Sequence, residues 1–161
     1  SPICSFTDRE CLNFFRIELL KRTGRIIGKN VKIAPGVIID YPEKLIIKSN
    51  VSIQHYCFLS SYGGITINDN VSIGHRTSII TTTHKYNVTG IIRNQKLISK
   101  PVIIEENVWI GMNVSILMGV HIGSNSVIGA CSLVNKNIES NTINFGVPVK
   151  TYKERISLEK K

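Results

Sequence analysis

No apolar run in this chain approaches the roughly 18 to 20 residues that a membrane-spanning helix needs, so no membrane span is expected. The four cysteines, Cys4, Cys11, Cys57 and Cys131, form no C-x-x-C pair. That argues against a zinc knuckle or a thioredoxin-type site, and cysteines this sparse do not suggest a disulfide framework. Reduced thiols and a cytoplasmic location are the expectation. Aromatic residues make up only 7% of the chain, and basic residues are adjacent only at Lys21–Arg22 and Lys160–Lys161. A nucleic-acid binder concentrates its charge on one face and interleaves aromatics, so no nucleic-acid partner is expected. The opening SPICSFTDREC carries Asp8, Arg9 and Glu10 and has no apolar core, which predicts no signal peptide.

What the chain does have is 161 residues, 42% of them apolar and 19% charged. That is enough for one domain with a real core and too little for two. Basic residues outnumber acidic ones 20 to 11, a formal charge of +9. Scattered as it is, such an excess attracts a small polyanion, for example a phosphorylated cofactor.

The chain also has a beat. Aliphatic residues return every sixth position as Ile27, Ile33 and Ile39, then Ile47, Ile53 and Leu59, then Ile67, Ile73 and Ile79. After a gap the beat resumes at Ile104, Ile110, Ile116, Ile122, Ile128 and Val134. Four residues after each marker comes a second small or β-branched side chain, such as Val31, Cys57, Thr77, Val114 or Ser126. A period of six suits neither a helix nor simple strand alternation. It suits a short strand with two inward residues around one outward residue, followed by a corner. Three residues after the marker stand Asn30, Gly36, Asn50, Asn70, Asn107, Asn113, Gly119 and Asn125, residue types that tolerate a left-handed backbone. Three such units close a triangle, and stacked triangles make a parallel β-solenoid of about five coils. Residues 11–24 carry a helical apolar pattern and read as an N-terminal cap within 1–26. The solenoid is expected over 27–145, with a loop inserted at 81–100, and a polar tail over 146–161.

The beat, together with NVWIG (107–111), GVHIG (119–123), VIGACSLV (127–134) and GVPVK (146–150), resembles the hexapeptide-repeat acyltransferases. Within them it is most similar to the branch of maltose, galactoside, nodulation-type and polysaccharide O-acetyltransferases. The resemblance covers roughly residues 24 to 155. It implies a left-handed parallel β-helix, a homotrimer, and acyl-CoA held in grooves between subunits, with acetyl-CoA as a co-substrate and no permanently bound cofactor. It implies that the inserted loop reaches toward a neighbouring subunit and that His84, after the run of threonines at 81–83, is the catalytic base. An imidazole suits the removal of a sugar hydroxyl's proton near pH 7. The resemblance also implies an oxyanion donor at the Met112 amide beside Gly111, and Trp109 in the CoA or acceptor pocket. Ala130 would let pantetheine approach the rod, and Lys136, Lys150 and Lys153 would face the CoA phosphates.

Galactoside-type relatives carry acidic or amide acceptor ligands in the coil before the loop, where this chain reads YCFLSSYGG (56–64) without a carboxylate. Tyr62, Ser60 and Ser61 are the candidates there to bond a sugar hydroxyl, and the identity of the hydroxylated carbohydrate stays open. Two other readings compete. A zinc-dependent carbonic-anhydrase-like trimer would use His55 and His75, twenty residues apart, but it needs a third imidazole in close spacing. A non-catalytic β-helix scaffold would bind no CoA.

Overall fold

The computed structural model describes residues 17–18, 20–22 and 26–156. Residues 26–149 wind into triangular coils, and each coil contributes one short strand to each of three parallel faces. On the second face Ile33 lies beside Ile53, Ile53 beside Ile73, Ile73 beside Ile110, and Ile110 beside Ile128. The six-residue beat thus becomes a vertical column of core. The markers from Ile47 to Val134 are essentially inaccessible, and the companions Val51, Cys57, Thr77, Val114 and Ser126 are buried with them.

All eight predicted corner residues adopt positive φ, from Asn30 at 54° to Gly119 at 78°. Asparagine has a second reason to be there. On the edge between the first and second faces, the Asn30 amide donates to Asn50 and Asn50 donates to Asn70, each at 3.0 Å. Further along the same edge Asn107 donates to Asn125 at 2.8 Å. The side-chain ladder runs parallel to the backbone ladder and fixes the same register.

The rod holds five regular coils and an incomplete sixth. Ile138 bridges to Ile122, Thr142–Phe145 adds a strand beside Val127–Ile128, and the Val149 amide donates to Leu133 at 2.8 Å. The beat hides this turn because its marker on the second face is Asn144. That buried amide donates to the Thr142 hydroxyl and accepts from the Thr151 hydroxyl, each at 2.8 Å, so it is satisfied inside the core. Lys150–Glu154 then folds back antiparallel on Thr142–Phe145 and covers that edge. At the other end residues 17, 18 and 20–22 are helical, with Ile17 and Leu20 against the core. The rest of the expected cap lies outside the described residues.

The interruption of the beat is an arm. Thr81, fully buried, donates its hydroxyl to the Ser60 carbonyl at 2.6 Å and accepts the Gly63 amide at 2.8 Å. Its carbonyl accepts the Lys100 amide at 3.1 Å, which pins the two ends of the insertion together. Between them Thr82–His84 pairs antiparallel with Leu97–Ser99 and projects from the edge between the third and first faces.

Candidate active site

A cleft of about 550 Å³ lies on the outside of the second face, along its edge with the third. Four residues expected from the sequence meet there: Trp109, Gly111, Met112 and Ala130. Trp109 stands outward at 60% exposure, an indole left uncovered by the described residues. Three residues that the sequence reading did not single out, Ser52, Gln54 and Ser72, extend the wall toward the earlier coils. Their signal was positional. Ser72 is paired in register with Trp109, and Ser52 with Ser72.

The floor is built from close backbone approach. A Cβ on Gly74 would stand 2.5 Å from the Gly111 carbonyl carbon, and one on Gly111 would stand 2.6 Å from the Ala130 nitrogen. The edge also leaves donors free. The amides of Gly111 and Asn113 are committed to Ile128 and His75, whereas those of Met112 and Ala130 meet no carbonyl among the described residues. These N–H groups, one coil apart, and the equally uncommitted amide of His75 a coil earlier are therefore available to a ligand in the cleft.

Three of the four left-handed corners that fall on unsuited residues lie on this edge; the fourth, Tyr41 at 55°, lies between the third and first faces. Tyr56, Arg76 and Cys131 hold φ of 61°, 57° and 58° at positions equivalent to Gly36 and Asn113. Each carries a conformational cost of order 1 kcal/mol that asparagine or glycine would reduce.

His84 does not line the cleft of its own chain. It is exposed, at the end of Thr82–His84 opposite Leu97, on an arm rooted at a different edge of the triangle. Lys136, Lys150 and Lys153 are exposed at the C-terminal end of the rod, the last two on the strand that folds back. Tyr62 lies apart from the cleft, near the root of the arm. Its ring meets Tyr41 edge-on at 5.0 Å, with Lys44 Nζ 4.4 Å above it. Ser60 and Ser61 are buried, unlike the exposed sugar ligands the sequence suggested. Alternation from the marker Leu59 turns Ser61 inward, where its hydroxyl has no partner among the described residues.

His55 and His75 stack as their spacing suggests, with ring centroids 5.5 Å apart and planes 4° from parallel. Two face-to-face imidazoles do not form a tetrahedral ligand set. Among the described residues no group of three or more His, Cys, Asp or Glu is arranged to hold a metal. His121 turns outward and engages Glu105 at 2.8 Å. Burial pushes the Cys57 thiol above its ordinary value, although bonds to backbone groups of Thr77, Arg76 and Gln54 work against the shift.

A solenoid with close-packed corner glycines, free corner amides in a cleft and a histidine-bearing arm defines the class of β-solenoid transferases. Comparison with known proteins gives the class its family. Residues 101–136 match the bacterial transferase hexapeptide family of six repeats. The chain is 34% identical over 139 residues to the galactoside O-acetyltransferase of Escherichia coli strain K12, covering 86% of this chain and 68% of that one. With the galactoside O-acetyltransferase of Lactococcus lactis it shares 36% identity over 83% of its length, spanning 64% of that protein. Among solved structures, a hexapeptide-repeat acetyltransferase of Vibrio cholerae complexed with acetyl-CoA superposes with a TM-score of 0.80 at 29% identity. That match covers 88% of this chain and 77% of the other. The chain belongs to the hexapeptide-repeat acetyltransferases.

Proposed function

We propose that this protein transfers the acetyl group of acetyl-CoA to a carbohydrate hydroxyl, and that it does so in the cytoplasm as a homotrimer. The observation that carries the reading is the cleft itself, in which Trp109, Gly111, Met112 and Ala130 converge around unengaged amides. The curated galactoside O-acetyltransferases and the acetyl-CoA-complexed neighbour support the same chemistry.

Separation of the two halves of the site supports self-association. His84 and the cleft lie at different edges of one chain, so the arm of one copy would complete the cleft of another. The arm exposes Tyr86, Ile91, Ile92 and Leu97, an apolar surface that a second copy of this chain would cover.

In the completed site, His84 takes the proton of the acceptor hydroxyl as its oxygen attacks the thioester carbonyl. The Met112 amide, beside Gly111, donates to the oxyanion that develops, a contribution of about 3 kcal/mol in comparable sites. Collapse breaks the carbon–sulfur bond, and the imidazolium of His84 returns its proton to the departing thiolate. Ala130 leaves room for pantetheine against the rod, Trp109 walls the reacting end, and Lys136, Lys150 and Lys153 face the phosphates. Tyr62 contacts the acceptor from the arm's root. Replacing His84→Ala is expected to lower kcat roughly 10²- to 10⁴-fold at an unchanged KM for acetyl-CoA, measured by thiol release. Near-normal turnover would remove His84 from the mechanism.

A further inference from the structure

The arm that carries His84 is charged with one sign only. From residue 70 to residue 104 the chain contains Arg76, Lys85, Arg93, Lys96 and Lys100, and not one Asp or Glu. Arg93, Lys85 and Lys96 stand exposed on the arm, and none makes an ion pair among the described residues, whose pairs are Lys21–Glu18 and His121–Glu105. The fold brings like charges together there. The Lys85 amide donates to the Lys96 carbonyl at 3.0 Å, one step beyond His84 opposite Leu97. Like charges facing one another across a strand pair destabilise it, so the backbone pairing holds these cations together against their mutual repulsion.

Resting on the reading of His84 as the base, we propose that these cations bind an anionic acceptor, a saccharide whose reacting hydroxyl is accompanied by a carboxylate or a phosphate. The chemistry of the co-substrate separates this from CoA binding. The base must sit at the thioester, and the CoA phosphates lie a full pantetheine chain away from that sulfur. Cations flanking the base therefore face the other reactant. Lys85, next in sequence to His84, and Lys96, across from it, define the near side of the anion site, and Arg93 lies toward the arm's tip. The field of three uncompensated cations also attracts an anionic acceptor before contact.

The test uses three probes with the same ring configuration, galactose, galacturonate and UDP-galactose, titrated into the CoA-saturated protein by saturation-transfer NMR. An anionic probe is expected to bind about tenfold more tightly than galactose in low salt, with the margin shrinking as salt rises. Preference for galacturonate identifies a carboxylate, and preference for UDP-galactose identifies a diphosphate. The triple variant Lys85→Gln, Arg93→Gln, Lys96→Gln is expected to lose the preference while its affinity for CoA is unchanged. Equal binding of all three probes, or a preference that survives in the triple variant, overturns the proposal. His84→Ala keeps the preference and loses turnover, so failure of the anion site and failure of the catalytic reading give different results.

Discussion

At the scale of single residues, the cleft edge holds three of the four left-handed corners occupied by unsuited residues, Tyr41 on the edge between the third and first faces being the fourth. Left-handed φ at Asn30, Asn50 and Asn70 suits the residue and is reinforced by amide ladders, whereas Tyr56 and Arg76 adopt it without such a ladder and Cys131 has only the Asn113 amide donating to its sulfur at 3.7 Å. Unsuited residues gathered along the edge that also has free Met112 and Ala130 amides point to selection for the cleft rather than for the corner. The two described cysteines sit on opposite sides of this logic. Cys57 is buried, donates to the Gly74 carbonyl at 3.1 Å and has its thiol pushed upward by desolvation, so it stays protonated and shielded at neutral pH. Cys131 is exposed at the cleft edge. Alkylation of the folded protein at pH 7.5 (about neutral), followed by peptide mapping, is expected to label Cys131 and spare Cys57. Equal labelling of both would show that the third coil does not close over Cys57 as described.

At the scale of elements, the rod and the arm obey different rules, and this decides what the sequence reveals. Each coil repeats the same inward pair and the same corner, so the markers Ile47 to Val134 and all eight left-handed corners could be read by counting sixes. The sixth turn escaped the count because Asn144 replaces an aliphatic marker and finds its partners in Thr142 and Thr151, which no periodicity announces. The arm's boundaries were legible as a break in the beat, but its antiparallel pairing was not, since Thr82–His84 and Leu97–Ser99 repeat nothing. Pinned by the Thr81 and Lys100 backbone, the arm is expected to be separable. Replacing residues 82–99 by a short Gly-Asn link should leave the circular dichroism of the rod intact and its melting temperature within a few degrees. It should abolish acetyl transfer. Loss of the folded rod would show instead that the arm is needed to close the third coil onto the fourth.

At the scale of the whole molecule, one chain supplies a cleft at one edge and a histidine at another, and only a second copy brings them together under the proposed function. Trp109, Gly111, Met112 and Ala130 were named by the resemblance, and column register is what brings them to one cleft, since they flank consecutive markers of one face. The contributions of Ser52, Gln54 and Ser72 depend on which coil stacks on which across the insertion, and pairing of Ser72 with Trp109 skips 36 intervening residues. The claim on which the rest depends is that this cleft is an acyl-CoA site. Calorimetric titration of the purified protein with CoA tests it without knowledge of the acceptor. The expected result is saturable binding with a Kd on the order of micromolar and about one CoA per chain. The absence of detectable binding to a folded, self-associated rod would contradict the assignment of the cleft and return the protein to the scaffold reading.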